Sequence, residues 1–333
     1  MKQNLHTHST FCDGKSTIKE MIRSALIREF DVLGFSGHSF TGFDPSYCMS
    51  DEGIIDYLDE VTDAMETFTR DPELAKAIYA PDVIGAKDLR ILLGIEQDLY
   101  SSRPALRKEQ GLLNPGHQYG TFDYIIGSTH ALRIGWDELE EQTGLSKASI
   151  KPDTKGIVSA DNGLYIYVDY GADALRWAID NVFHGDPMAL AEAYFSDESR
   201  IVSDTDCDMV GHFDLLLKFN EKERIFDESA PRFIAARDKA LEQIFSDFKK
   251  KERRPLFEIN TGAMARGYRS VPYPSQDTLN EIRKRGGQLV INSDCHNARY
   301  LDYGFNEARK MALDSGFIPE LIEVPGGELE IFI

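Results

Sequence analysis

The residues of this sequence that could do chemistry are histidines and carboxylates, and the first of them lie at the N-terminus. Residues 3–8 read Gln-Asn-Leu-His6-Thr-His8, and Asp13 follows five residues later. Because side chains alternate along an extended strand, a His-x-His pair places both imidazoles on one face, where they can bind a single ion. Asp294-Cys-His296 repeats this spacing near the other end of the chain. The two pairs together predict a metal site.

Further ligand-type residues end apolar segments that we interpret as strands. They are His38, Glu96, His130 and His212. The total of nine candidate ligands exceeds what one ion binds, since zinc usually takes four. Imidazole and carboxylate ligands without thiolate suit Zn, Fe or Mn. We therefore expect two to three divalent metal ions, with Glu96 able to bridge two of them. Clustered ions of this kind are the usual apparatus for phosphoester hydrolysis.

The elements that must position these residues are short apolar segments alternating with segments of helical periodicity. Strands are predicted at residues 3–8, 31–38, 91–96, 124–130, 208–212, 256–260 and 288–294. Helices are predicted over residues 17–29, 51–69, 172–183, 231–250, 275–285 and 302–315. Uninterrupted apolar strands that alternate with helices indicate an α/β fold with a parallel sheet. Seven such units predict a distorted, seven-stranded, TIM-like (β/α) barrel, whose active site lies at the C-terminal ends of the strands.

The domain organisation is expected to be simple. No repeat, low-complexity tract or linker divides the chain, so we expect one domain over residues 1–333. Residues 99–121 and 137–171 are less periodic and are expected to form loop insertions over the open end of the barrel. Tyr165, Tyr167 and Tyr170 could line a pocket there, although packing within a lid is the simpler interpretation.

Composition limits the classes of partner. Asp and Glu number 56 against 37 Lys and Arg, which gives a formal charge of −19. This acidity argues against nucleic-acid partners and anionic membranes. It is compatible with a small anionic substrate, because bound cations can reverse the local field. The first residues lack a basic region and an apolar run, so we expect no signal peptide. Four scattered cysteines indicate reduced thiols and a cytoplasmic protein. The sequence gives no indication of the oligomeric state.

The ligand motifs together resemble those of the PHP (polymerase and histidinol phosphatase) superfamily, over about residues 4–300. The motifs are His6-Thr-His8 with Asp13, Ser36-Gly-His38-Ser39, Gly94-Ile-Glu96, Ser128-Thr-His130, Gly211-His212 and Asp294-Cys-His296. The segments 11–17 and 33–39 resemble the monofunctional histidinol-phosphatase branch in particular. The resemblance implies three metal ions at the mouth of a distorted seven-stranded barrel.

The resemblance also implies which residues bind each ion. Carried over by motif, the first ion would be bound by His6, His8, Glu96 and Asp294. The second would be bound by Glu96, His130 and His212, and the third by Asp13, His38 and His296. The implied reaction is hydrolysis of L-histidinol phosphate to L-histidinol and phosphate in histidine biosynthesis. We expect in-line attack by a metal-bridging hydroxide, with Asp294 or a neighbouring histidine such as His296 transferring protons.

Two arginines are candidates for binding the phosphate. Arg266 and Arg269 follow the sixth predicted strand in a segment similar to one of the family, and an arginine fork suits a phosphate. Arg133 is a weaker candidate, and Asp98 could receive the positively charged leaving group. His117 and His184 lie outside the motifs.

Two other functions remain open on sequence alone. The first is a PHP phosphoesterase that acts on a nucleotide or a phosphotyrosine peptide. The second is a non-catalytic metal-binding or polymerase-associated module.

Overall fold

The computed structural model describes residues 1–150 and 155–333. The strands in these ranges are Gln3–Asn4 (β1), Val32–Phe35 (β2), Arg90–Asp98 (β3), Tyr124–Ser128 (β4), Ala131–Ile134 (β5), Ile157–Ala160 (β6), Gly163–Tyr167 (β7), Met209–Val210 (β8), Leu256–Asn260 (β9), Gln288–Asn292 (β10), Pro319–Val324 (β11) and Gly327–Phe332 (β12). The α-helices are Ile18–Ile27 (α1), Asp51–Arg70 (α2), Pro72–Tyr79 (α3), Trp136–Thr143 (α4), Ala172–Asn181 (α5), Pro187–Glu198 (α6), Ile201–Thr205 (α7), Asn220–Glu223 (α8), Pro231–Lys250 (α9), Gly262–Ala265 (α10), Gln276–Lys284 (α11) and Phe305–Asp314 (α12).

The main sheet is mixed and curled. Its order is β1-β2-β3-β4-β8-β9-β10-β12-β11, and the first seven strands of this order run parallel. These seven correspond to the seven predicted strands, so the predicted parallel α/β sheet is confirmed. The prediction of a seven-stranded barrel needs correction, because the strand ladders form an open sheet of nine strands. The C-terminal hairpin pairs antiparallel with β10 and occupies the edge that β1 would take in a closed barrel.

The first and seventh parallel strands nevertheless approach each other beyond the ends of their ladders. Thr7 and Cys295 form an isolated parallel bridge, in which the N–H of His8 donates to Cys295 O at 2.9 Å. Nearer the strands, the N–H of Leu5 donates to the side-chain oxygen of Asn292 at 2.8 Å. The curl of the sheet therefore brings His6 and His8 beside Asp294 and His296, which lie almost 300 residues away in sequence.

Helices cover the sheet largely where the hydrophobic periodicity predicts them. The helix α1 begins with a capping box, in which Thr17 and Glu20 satisfy each other's backbone N–H groups. Helices α2, α5, α9, α11 and α12 coincide with the predicted segments to within a few residues. The helices α3 and α6 were not predicted. In the described parts of the chain, no helix is both long and apolar enough to span a membrane.

A second, three-stranded sheet lies in the segment expected to be a loop. Strands β5, β7 and β6 pair antiparallel in that order, so the expectation of a loop over residues 137–171 needs correction. Tyr165 on β7 stacks on Phe43 with 3.9 Å between ring centroids, which packs this sheet against residues near His38. Residues 99–121 are irregular, as expected, and contain only isolated bridges.

A glycine before Glu96 makes room for the core of the sheet. Tyr124 lies fully buried and donates its hydroxyl to Leu5 O at 2.5 Å. A Cβ on Gly94 would lie 2.2 Å from the Tyr124 ring, which is too close for any side chain. The glycine of the Gly-Ile-Glu motif on β3 therefore leaves the space that the Tyr124 ring on β4 occupies.

Candidate metal centre

Glu96, near the end of β3, lies at the centre of five histidines. Its Oε2 is 2.9 Å from His38 Nδ1, 3.3 Å from His6 Nε2 and 3.4 Å from His8 Nε2. Its Oε1 is 3.0 Å from His212 Nε2 and 3.4 Å from His130 Nε2. All six side chains are buried. The strand ends of a parallel sheet meet at one edge, which is why residues so distant in sequence surround one carboxylate.

Asp294 and His296 complete the cluster from the end of β10. Asp294 Oδ1 lies 3.3 Å from His8 Nε2 and 3.3 Å from His296 Nδ1. Asp294 has a positive φ of 48°, a conformation rare for a residue with a side chain, and such strain is concentrated at functional sites. Asp13, in the loop after His8, lies 3.1 Å from His296 Nε2 and 3.6 Å from His38 Nε2. The structure thus brings all nine predicted ligands together.

Ligand atoms of the cluster converge in four overlapping groups. They are His8, Asp13, His38 and His296; His6, His8 and Asp294; His6, Glu96 and His212; and His38, Glu96 and His130. The first group contains the three residues that the resemblance implies for the third ion, together with His8. The second group matches part of the set implied for the first ion. His130 and His212 both adjoin Glu96 but fall into separate groups, so the implied second set is not reproduced as one group.

The donor set fits divalent metal ions. His6 Nε2, His8 Nε2, His38 Nδ1 and Glu96 Oε2 are buried, and none of them has a hydrogen-bond partner of acceptable geometry among the described residues. Unpaired buried polar atoms are costly, so four of them aimed at one point require a compensating partner. Zn, Fe and Mn accept imidazole nitrogen and carboxylate oxygen together.

The charges of the cluster also suit metal binding. Burial opposes ionisation of Glu96, but the adjacent His6, His38 and His130 imidazoles hold the pKa of this carboxyl well below its usual range. Burial, with repulsion from His296 and His38, lowers the pKa of His8 to about 3. An ionised carboxylate and a neutral imidazole are the forms that ligate metals, so Glu96 and His8 are ready to bind. Burial opposes protonation of His6, His38 and His130, but the adjacent carboxylates raise their pKa values, so these three imidazoles release a proton when they bind a metal.

Two buried carboxylates lie directly behind the cluster. Asp98, which the sequence suggested as a contact for the leaving group, instead lies 3.0 Å from His130 Nδ1 and does not line the cavity. Glu258 lies 2.8 Å from His6 Nδ1 and was not predicted as a site residue. The sequence could have indicated Glu258 as a site residue, because it is the one charged residue of the apolar strand Leu256–Asn260.

The two candidate arginines differ in position. Arg266, just after α10, places Nη2 2.9 Å from Asp294 Oδ2 and Nη1 3.1 Å from His296 Nδ1, at the wall of the cavity. Arg269 needs correction as a candidate. It donates to Leu217 O at 3.1 Å, its guanidinium lies 4.7 Å from the Tyr273 ring centroid, and it does not line the cavity. Arg133 is exposed on β5 and also lies outside the cavity lining.

The cluster opens into a cavity of about 450 Å³. Its lining includes Arg266, Asp294 and the outer histidines, and also Tyr47, Tyr167 and Asp169. Lys218 pairs with Asp169 at 3.0 Å and is almost fully buried. Neither residue of this pair was predicted. Lys218 lies on the loop after His212 and Asp169 follows β7, so their approach depends on the position of the second sheet.

His117, His184 and Cys295 lie outside the cluster of nine residues. His117 lies in the irregular segment, and His184 follows α5 with a positive φ of 53° just before Gly185. Cys295 donates its thiol to Asn297 O at 2.9 Å and belongs to none of the four ligand groups. All four cysteines are free, as predicted.

The fold and this cluster define an α/β protein of the metallohydrolase type. Comparison with family models gives a match to the PHP domain over residues 4–262, so the chain belongs to the PHP family. This membership supports a phosphoesterase. No significant match is found among curated proteins.

Two solved structures share the fold over nearly the whole chain. One is named as the histidinol phosphatase hisK of Listeria monocytogenes, with a TM-score of 0.60 and 15% identity, covering 92% of this chain and 99% of that one. The other is the histidinol phosphate phosphatase of Lactococcus lactis subsp. lactis Il1403, complexed with Zn, L-histidinol and phosphate. It has a TM-score of 0.56 and 16% identity, and the match covers 98% of both chains.

Proposed function

We propose that this protein is a metal-dependent phosphomonoesterase that hydrolyses L-histidinol phosphate to L-histidinol and phosphate in histidine biosynthesis. The observation that carries the proposal is Glu96 surrounded by five histidines, beside a cavity that Arg266 lines. The Lactococcus relative, which shares the fold, is complexed with L-histidinol and phosphate and supports the choice of substrate. Residues 1–333 would act as one domain, and the four free thiols suit a cytoplasmic enzyme.

The metal ligands in this proposal are the nine clustered residues, His6, His8, Asp13, His38, Glu96, His130, His212, Asp294 and His296. Two to three ions such as Zn, Fe or Mn would lower the pKa of a water molecule and neutralise phosphate charge when bound. Glu96 contacts two different sets of histidines, one through each of its carboxylate oxygens.

The phosphate would lie between the cluster and Arg266. The Nη2 of this arginine is held at 2.9 Å by Asp294, and its planar fork can donate two parallel hydrogen bonds to a phosphate. Burial alone would lower the pKa of the Arg266 guanidinium. The attraction of Asp294 outweighs burial and raises this pKa above its usual value, so the guanidinium stays charged. Asp294 and His296 adjoin the same space and are the groups placed to exchange protons with the nucleophile and the leaving oxygen.

The leaving group would occupy the rest of the cavity beside the phosphate. Tyr47 and Tyr167 offer aromatic walls there, and Asp169 offers a carboxylate to a positively charged group. An imidazole and an ammonium group, as in histidinol, suit such a lining. The volume of about 450 Å³ lies within the range of small-molecule sites.

The proposal is tested by comparing kcat/KM for histidinol phosphate, p-nitrophenyl phosphate, a set of nucleotides and a phosphotyrosine peptide, all with metal-loaded protein. We expect the highest kcat/KM for histidinol phosphate. A kcat/KM that is no better for this substrate would contradict the proposed specificity. If the metal-loaded protein hydrolysed none of these phosphomonoesters, a non-catalytic metal-binding module would be favoured instead.

A further inference from the structure

Glu258 is a carboxylate at the centre of a fully satisfied buried network. It lies on β9 with no exposed surface and is absent from the cavity lining. Its Oε1 accepts from the N–H of His212 at 3.0 Å and from Asn260 Nδ2 at 2.6 Å. Its Oε2 accepts from Asn292 Nδ2 at 3.0 Å and contacts His6 Nδ1 at 2.8 Å. The carboxylate therefore connects residues from four neighbouring parts of the curled sheet.

These contacts determine the tautomer of His6. An ionised carboxylate accepts hydrogen bonds and donates none, so His6 Nδ1 must carry the hydrogen. In a neutral imidazole, Nε2 then keeps its lone pair, and Nε2 is the buried unpartnered atom that faces Glu96. When His6 is neutral, which is the form that binds a metal, the network therefore presents Nε2 to the candidate metal centre.

The same relationship recurs on the other side of Glu96. Asp98 Oδ2 lies 3.0 Å from His130 Nδ1, while His130 Nε2 faces Glu96 Oε1 at 3.4 Å. The second oxygen of Asp98 accepts from the N–H of Tyr100 at 2.8 Å. Asp98 is buried and does not line the cavity, so neither it nor Glu258 is placed to touch a substrate.

We infer that Glu258 and Asp98 are positioning residues that fix the tautomer and ring orientation of His6 and His130 for metal binding. The inference rests on the proposed metal centre and goes beyond its ligands. Carboxylates behind metal-bound histidines typically change metal affinity 10–100-fold when they are replaced. Because each acts through an imidazole, the effect is expected in metal retention before any effect on substrate binding.

The test uses Glu258→Gln in the full chain. A glutamine side chain keeps the size of the residue but supplies one acceptor oxygen where the network has four donors. It leaves donors unpaired or donates to His6 Nδ1, which would place the hydrogen on Nε2. Asp247→Asn is the matched control, since Asp247 is also a buried carboxylate and its side chain accepts from Gln243 and Lys250, away from the cluster. Asp98→Asn is the second test variant.

Two readouts are needed, and neither depends on catalysis. The first is titration with Zn²⁺ in competition with a chromophoric chelator, which gives affinity and stoichiometry. The second is the set of ring ¹⁵N chemical shifts of labelled histidines in the metal-free protein, which report tautomers. We expect Glu258→Gln and Asp98→Asn each to weaken retention of at least one Zn²⁺ by roughly 10–100-fold. We expect the control to stay within about twofold of the wild type, because it removes no contact to a ligand.

The outcomes separate this inference from the proposed function. If wild-type protein binds no Zn²⁺, the proposed metal centre itself is wrong. Wild-type protein that binds Zn²⁺, with unchanged affinity and histidine tautomers in Glu258→Gln, would overturn the inference alone. Equal weakening in Asp247→Asn would also overturn it, since general destabilisation would then be the cause. If Glu258→Gln does not fold, Asp98→Asn decides by the same criteria.

Discussion

Arg266 and Asp294 form an ion pair at the wall of the cavity, with 2.9 Å between Nη2 and Oδ2. The pair joins the residue expected to bind phosphate to a residue expected to bind metal. Arg269, three residues later, makes no such pair among the described residues. It contacts Leu217 O and lies outside the cavity lining. The two side chains therefore make a matched test.

Arg266→Ala should mainly raise KM for the phosphomonoester. The loss of one charge-assisted contact to phosphate predicts a fall in kcat/KM of roughly 10–100-fold. Arg269→Ala, the control, should leave KM close to the wild-type value. Steady-state kinetics on both variants checks this expectation. An equal rise in KM for both variants, or none for Arg266→Ala, would place the phosphate contact elsewhere.

Glu96→Ala should abolish activity and lower metal content together. The change removes the carboxylate shared by both halves of the cluster and leaves five histidines without it. Metal ions contribute several kcal/mol to such reactions, so kcat should fall roughly a thousandfold or more. Glu66→Ala, on the exposed side of α2, is the control. A variant at Glu96 that keeps its kcat would refute the central role of this residue.

Sequence reasoning located the ligands because the constraint on them is local. Each candidate follows a short apolar strand, and the ends of parallel strands must share one edge of the sheet. That rule suffices to bring His6, His130 and Asp294 to one site. The capping residue of α1 and the periodicity of α1 and α9 are equally local, and the bounds of both helices were predicted closely.

The closure of the sheet and the back of the cavity depend on contacts that no local pattern encodes. The C-terminal hairpin pairs with β10 through one register match, Leu289 with Phe332, which strand propensity does not indicate. The approach of Lys218 to Asp169 requires the second sheet to fold over the mouth. Arg266 and Arg269 are three residues apart, and only the turn after α10 decides which of them faces the cavity.

Glu198→Gln should change the pH dependence of stability. Burial raises the pKa of the Glu198 carboxyl to about 8, and neither oxygen has a hydrogen-bond partner among the described residues. Because the pKa in the folded state lies above that in the unfolded state, wild-type stability should fall as pH rises from about 4.5 to 8. At pH 7 the free energy of unfolding of the wild type should be on the order of 3 kcal/mol lower than it would be with Glu198 protonated in both states, since each unit of pKa difference is worth 1.36 kcal/mol.

Urea unfolding of both metal-loaded proteins at several pH values measures this effect. The free energy of unfolding of Glu198→Gln, relative to the wild type, should increase between pH 5 and pH 8. A difference between the two proteins that does not vary with pH would show that Glu198 does not titrate abnormally in the folded protein.

We expect the nine clustered residues, Glu96 among them, to bind more than one divalent ion. Elemental analysis tests it most directly, on protein stripped with a chelator, reloaded with Zn²⁺ and freed of excess metal by gel filtration. The nine ligands predict two to three ions per chain, because four ligands saturate one zinc. A content of one ion or none would contradict the account.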